Sequence, residues 1–143
     1  MPNPSGAESL LVIRHARAGE RSEWEGDDRL RPLDKRGGSQ ADALVDALAA
    51  FPITRILSSP YDRCVQTVKP LAEQRGLPIE LREELGEEQQ FTGGVALARS
   101  LIGDGVALCV HGGLTDAAFG ERQKKGETLV VDADGRVVER IRV

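Results

Sequence analysis

Unbroken apolar runs occur at Leu10-Leu11-Val12-Ile13 and at Val106-Ala107-Leu108-Cys109-Val110, the pattern of strands covered on both faces of a sheet. Between them, Arg55-Ile56-Leu57 reads as a shorter strand, and Pro78-Ile79-Glu80-Leu81 alternates as a half-exposed one does. Leu44, Ala47, Leu48 and Phe51 recur at helical spacing until Pro52 stops them. A second stripe carries Arg63, Cys64, Thr67, Val68 and Leu71, with Gly76 as its stop, and Ser59 before Pro60 as its predicted cap and first turn. Val95, Leu97, Ala98 and Leu101 form a third helical face, broken at Gly103-Asp104-Gly105. Thr128 to Val131 and Val137 to Val143, joined by Asp132-Ala133-Asp134-Gly135, read as a closing hairpin. Strands that alternate with helices and end in a hairpin predict an α/β protein: a three-layer α/β/α sandwich on a mostly parallel sheet. It occupies residues 10–143 as one domain behind a loose tail, residues 1–9.

This order has a geometric consequence. Right-handed crossovers place the loops after successive parallel strands on one edge of the sheet, where open α/β sheets bind ligands. Arg14 and His15 follow the first strand, Ser59 and Arg63 the second, and His111 a later one, so the chain's two histidines converge with two arginines. Residues 16–32 (ARAGERSEWEGDDRLRP) are polar and without a period, a loop long enough to expect a role at that edge. Arginine meets the oxygens of a phosphoryl group with planar, multidentate hydrogen bonds. Imidazole can attack phosphorus as a covalent nucleophile, the second histidine can stabilise charge, and a carboxyl can protonate the leaving oxygen. The acidic run Arg82 to Gln90 supplies carboxyls.

Composition narrows the partners. A net charge of −4 gives no general attraction to nucleic acid or anionic membrane, so any anion site is local. Three Phe, one Trp and one Tyr make no platform for a nucleic-acid strand. Neither a signal peptide nor a membrane span is expected, and Cys64 and Cys109 read as small buried thiols, which together imply the cytoplasm. No metal and no cofactor are expected, since neither histidine has a second ligand at metal spacing.

Arg14-His15-Ala16-Arg17-Ala18-Gly19 resembles the Arg-His-Gly/Ala signature of the histidine phosphatase superfamily, phosphoglycerate mutase-like in fold, in its SixA-like form. Leu33-Asp34-Lys35-Arg36-Gly37 with Gln40-Ala41, Ser58-Ser59-Pro60-Tyr61-Asp62-Arg63-Cys64-Val65-Gln66-Thr67, and Val110-His111-Gly112-Gly113 are similar to three further elements of that family, in its order. The resemblance implies that His15 is phosphorylated while Arg14, Arg63 and His111 hold the phosphoryl oxygens, with Gly112 beside them. Ser59 either caps its helix or joins the phosphate ligands, and Arg17 either reaches the substrate or stays a loop residue. Many members carry a Leu-x-Glu acid after the third strand. Leu85-Gly86-Glu87 fits the spacing better than Leu81-Arg82-Glu83, so Glu87 is the expected general acid and Glu83 its alternative. The Gly-Trp-x-Gly continuation of the family's sugar-phosphate enzymes is absent.

The short chain carries no insertion resembling a cap over the site, and the resulting open pocket suits a phosphohistidine displayed on a protein, the activity the SixA likeness implies. Gly26-Asp27-Asp28 through Gly37 also looks like the phosphatase half of two-domain Nudix hydrolases, which act on nucleotide phosphates. A phosphorylated protein, or a small phosphorylated metabolite or nucleotide, is therefore the expected partner. A binding module that captures phosphate without turnover is the alternative from outside enzymes.

Overall fold

The computed structural model describes residues 9–143, so all but the last residue of the expected tail lies outside the described residues. Among the described residues six strands form one sheet: β1 (Leu10–Arg14), β2 (Arg55–Ser58), β3 (Ile79–Leu81), β4 (Val106–Val110), β5 (Thr128–Val131) and β6 (Val137–Ile141), in the order β3-β2-β4-β1-β5-β6. The first four are parallel, while β5 runs antiparallel to β1 and β6 to β5. The two unbroken apolar runs, β1 and β4, are the neighbours at the centre, which is why they need no polar face.

Alternate residues of β1 feed different cores. Leu10 and Val12 pack with Leu108, Ala98, Leu101, Leu114 and Ala118, beneath α3 (Val95–Ser100) and α4 (Leu114–Phe119). Leu11 and Ile13 pack with Leu44, Leu48, Cys64, Val68 and Leu71 of the α1 (Lys35–Ala47) and α2 (Asp62–Arg75) side. Asp34 caps α1 by accepting the Gly37 N–H at 2.8 Å, and Gly76, at φ 67°, ends α2 in the left-handed conformation.

Three local readings change. The first helix stops short of Pro52, since α1 ends at Ala47 with Leu48 as its cap. The start of α2 lies at Asp62, after Tyr61, and no side chain caps it; Ser59 and Pro60 stand outside the helix, and the Ser59 hydroxyl meets a histidine. α4 has no counterpart in the apolar pattern: six residues between Gly113 (φ 101°) and Gly120 (φ 73°) are too few to display a period. Among the described residues no helix is long and apolar enough to cross a membrane.

Candidate active site

β1 delivers His15 to the carboxyl edge of the sheet, where its backbone N–H donates to the Val110 carbonyl at 3.0 Å. The ring Nδ1 lies 2.7 Å from the Ala16 carbonyl. A carbonyl only accepts, so Nδ1 carries the proton and Nε2 keeps its lone pair. Burial lowers the His15 pKa to about 3, and the nearby His111, Arg63 and Arg14 push the same way against the Ala16 hydrogen bond. The imidazole is thus neutral at physiological pH.

Three cation or donor groups surround it. The Arg14 guanidinium donates through one terminal nitrogen to the Gln123 carbonyl at 2.7 Å, and the Gln123 amide is itself tied to the carbonyls of Val12 and Glu127. A Cβ on Gly112 would stand 2.8 Å from that guanidinium, so the glycine after His111 makes room for it. Arg63, on the first turn of α2, is fully buried; its terminal nitrogens donate to the Asp28 carbonyl at 2.9 Å and the Asp28 carboxylate at 3.0 Å. His111, at the end of β4, has Nε2 2.8 Å from the Ser59 hydroxyl, which also accepts the Tyr61 N–H at 3.3 Å. The Ser59 hydroxyl and the Cys64 thiol, the latter 3.6 Å away, each have a proton to donate to Nε2, and with either as donor His111 presents a protonated Nδ1. Among the described residues, the buried side-chain polar atoms with no partner are Arg14 Nε, Arg63 Nε, His111 Nδ1 and Thr128 Oγ1. Three of these four belong to the groups around His15, an arrangement that an oxyanion would satisfy.

Helix side chains hold the backbone that follows His15. The Thr67 hydroxyl accepts the Ala16 N–H at 2.9 Å, Gln40 accepts that of Arg17 at 2.9 Å, and Gln66 accepts that of Leu33 at 2.9 Å. The Gln-Ala and Gln-Thr pairs of the motifs are therefore loop anchors.

Glu87 lines a cavity of about 550 Å³ together with Arg14, His15, Arg63 and Gly112. Its carboxylate is 3.6 Å from Arg63 and 3.9 Å from His111 Nδ1, and Arg21 holds it at 3.0 Å through both oxygens. Glu83 instead pairs with Arg29 at the surface, its side chain 63% exposed. Ser59 stands behind His111 and does not line the cavity. Arg17 turns away to the Asp34 carboxylate at 3.9 Å and lines a separate surface hollow. Sequence reasoning missed Asp28, Arg31, Arg21 and Gln123, which orient or wall the site from loops where no periodicity marks a position. Residues 19–21 and Arg31, with Arg122, Gln123 and Lys125, also line the cavity. No group of three His, Cys, Asp or Glu side chains that could hold a metal ion comes together among the described residues.

The family model described as Histidine phosphatase superfamily (branch 1) matches residues 10–91. An 8-oxo-(d)GTP phosphatase of Mycolicibacterium smegmatis is 47% identical over 85 residues, 59% of this chain and 26% of that protein. The matched stretches span about a quarter to a third of the curated relatives' own length. A structure assigned as phosphohistidine phosphatase SixA from Agrobacterium tumefaciens superposes with a TM-score of 0.75 at 22% identity, covering 94% of this chain and 97% of that one. A mycobacterial glucosyl-3-phosphoglycerate phosphatase gives 0.70 at 16% identity, over 93% and 96%. At such identities these two structures speak for the shared fold.

Proposed function

The chain belongs to the histidine phosphatase superfamily, branch 1, a superfamily of phosphatases, and from that premise we propose that it is a phosphatase with His15 as covalent nucleophile. His15 Nε2 attacks phosphorus, the bond to the leaving oxygen breaks, and Glu87 in its acid form protonates that oxygen. Arg14, Arg63 and the Nδ1–H of His111 hold the three remaining oxygens as charge develops. Glu87, now a carboxylate, takes a proton from water, which attacks phosphorus; the P–N bond breaks and its electron pair returns to Nε2. The observation that carries this reading is the set of buried, unpartnered donors on Arg14, Arg63 and His111 around a histidine whose Nδ1 proton is already committed. Positive charge comes from arginine, so the reading includes no metal ion.

For the substrate, the walled, cation-rich cavity and the sequence likeness to an 8-oxo-(d)GTP phosphatase favour a small phosphorylated molecule, a nucleotide foremost. Phosphohistidine on a protein is the second reading, favoured by the likeness to SixA structures. The test is turnover of p-nitrophenyl phosphate in EDTA, with capture of an acid-labile label on His15 and loss of both in His15→Ala. Binding of phosphate without turnover would make the protein a capture module instead. Rates on nucleoside phosphates and on a phosphohistidine protein, measured side by side, decide the substrate, and a preference for the protein would overturn the nucleotide reading.

A further inference from the structure

Next to the phosphoryl cavity lies a second hollow of about 270 Å³, lined by Glu23, Trp24, Pro32, Leu33 and Asp34 and sharing Gly19, Glu20 and Arg31 with the first. Trp24 is the chain's only tryptophan, belongs to neither core cluster and is 37% exposed. Its indole N–H is spent on the Asp27 carbonyl at 2.9 Å, which pins the ring by its edge and leaves a face for stacking. Arg31, with its side chain only 8% exposed, is clamped between the Asp28 carboxylate at 2.9 Å and the Gly19 carbonyl, so the common wall is fixed. Gly19, which lines both cavities, has no side chain, and a Cβ there would meet nothing within 4 Å.

Resting on the nucleotide reading above, we propose that this hollow is the base subsite for a purine nucleoside phosphate, with the base stacked on Trp24. The phosphoryl group sits at His15, the ribose crosses the wall at Gly19, and the base lies between the indole and the apolar edge of Pro32 and Leu33. Arg21, in the loop between Gly19 and Trp24, holds Glu87, the proposed acid. Glu20 and Glu23 line the hollow, and a carboxylate turned to the base would match an edge rich in N–H donors, so guanine is preferred over adenine and over pyrimidines. One aromatic suffices for one base, whereas a nucleic-acid strand needs a series.

Trp24 supplies its own readout. GMP titrated into the His15→Ala protein quenches the tryptophan emission saturably, while inorganic phosphate and ribose 5-phosphate do not. In the active protein the kcat/KM for GDP exceeds that for UDP by about tenfold, within what one base stack is worth. Trp24→Ala and Gly19→Val, the latter at a position whose φ is not positive, each collapse that ratio toward one. An equal emission response to phosphate alone, no response to GMP, or a GDP preference that survives both substitutions would overturn the subsite. Turnover of p-nitrophenyl phosphate reports separately on the phosphatase reading: if it persists while Trp24 ignores GMP, only the base subsite has failed.

Discussion

In the proposed role His15 attacks only while Nε2 is unprotonated, and burial rather than a neighbouring base secures that state. Its NMR ring shifts are expected to stay flat from pH 8 down to pH 5; a titration near 6.5 would show that the site is wetter than this packing allows. Glu87 is set apart from Glu83 by position: it faces Arg63 and His111, whereas Glu83 faces solvent. Glu87→Gln should slow alkyl phosphates by about 10²-fold or more, the size of general-acid effects. It should slow phosphohistidine less, because a nitrogen leaving group demands less acid; equal slowing would remove Glu87 from that role. Asp28 keeps the buried Arg63 charge paired, so Asp28→Asn should cost about 1–3 kcal/mol in urea unfolding, discounted from a fully buried pair because its carboxylate is partly exposed.

At the scale of elements, α1 meets the loop after His15 across a contact that only glycine permits. A Cβ on Gly37 would lie 1.9 Å from the Arg17 carbonyl oxygen, while one on the adjacent Gly38 would meet nothing within 4 Å. Gly37→Ala should therefore destabilise by about 1–3 kcal/mol and raise KM as the loop is pushed off. Gly38→Ala, in the same helix, should gain about 0.5–1 kcal/mol from helix propensity. Thermal unfolding of the pair distinguishes packing from propensity; equal effects would refute the contact. The same contact gives the Leu33 to Gly37 motif its structural purpose. It also explains why Arg17, inside the opening motif, points away: its backbone is held by Gln40 and Asp34, and its side chain is left on the far side.

For the whole molecule, the depressed His15 pKa links folding to pH. The unfolded chain takes up this proton near pH 6.5 and the folded chain only near 3, so the stability contributed above pH 6.5 is lost progressively as pH falls between those values. Carboxylates such as Asp28, lowered from an already acidic value, act further down. Urea midpoints should thus fall between pH 7 and pH 4.5, and His15→Ala should flatten that slope; an unchanged slope would mean that the folded imidazole is solvated.

Hydrophobic pattern alone determined the layers, the two central strands and the helices α1 and α2, because burial on a face recurs at the element's own period. Together with crossover handedness it also determined that Arg14, His15, Arg63 and His111 share one edge. Tertiary structure decided what depends on contacts between loops: Asp28 on Arg63, Gln123 on Arg14, Ser59 on His111 and the Trp24 hollow beside the His15 cavity. Loop residues obey no period, and their partners are set by where the chain returns, so nothing in the order of residues announces them.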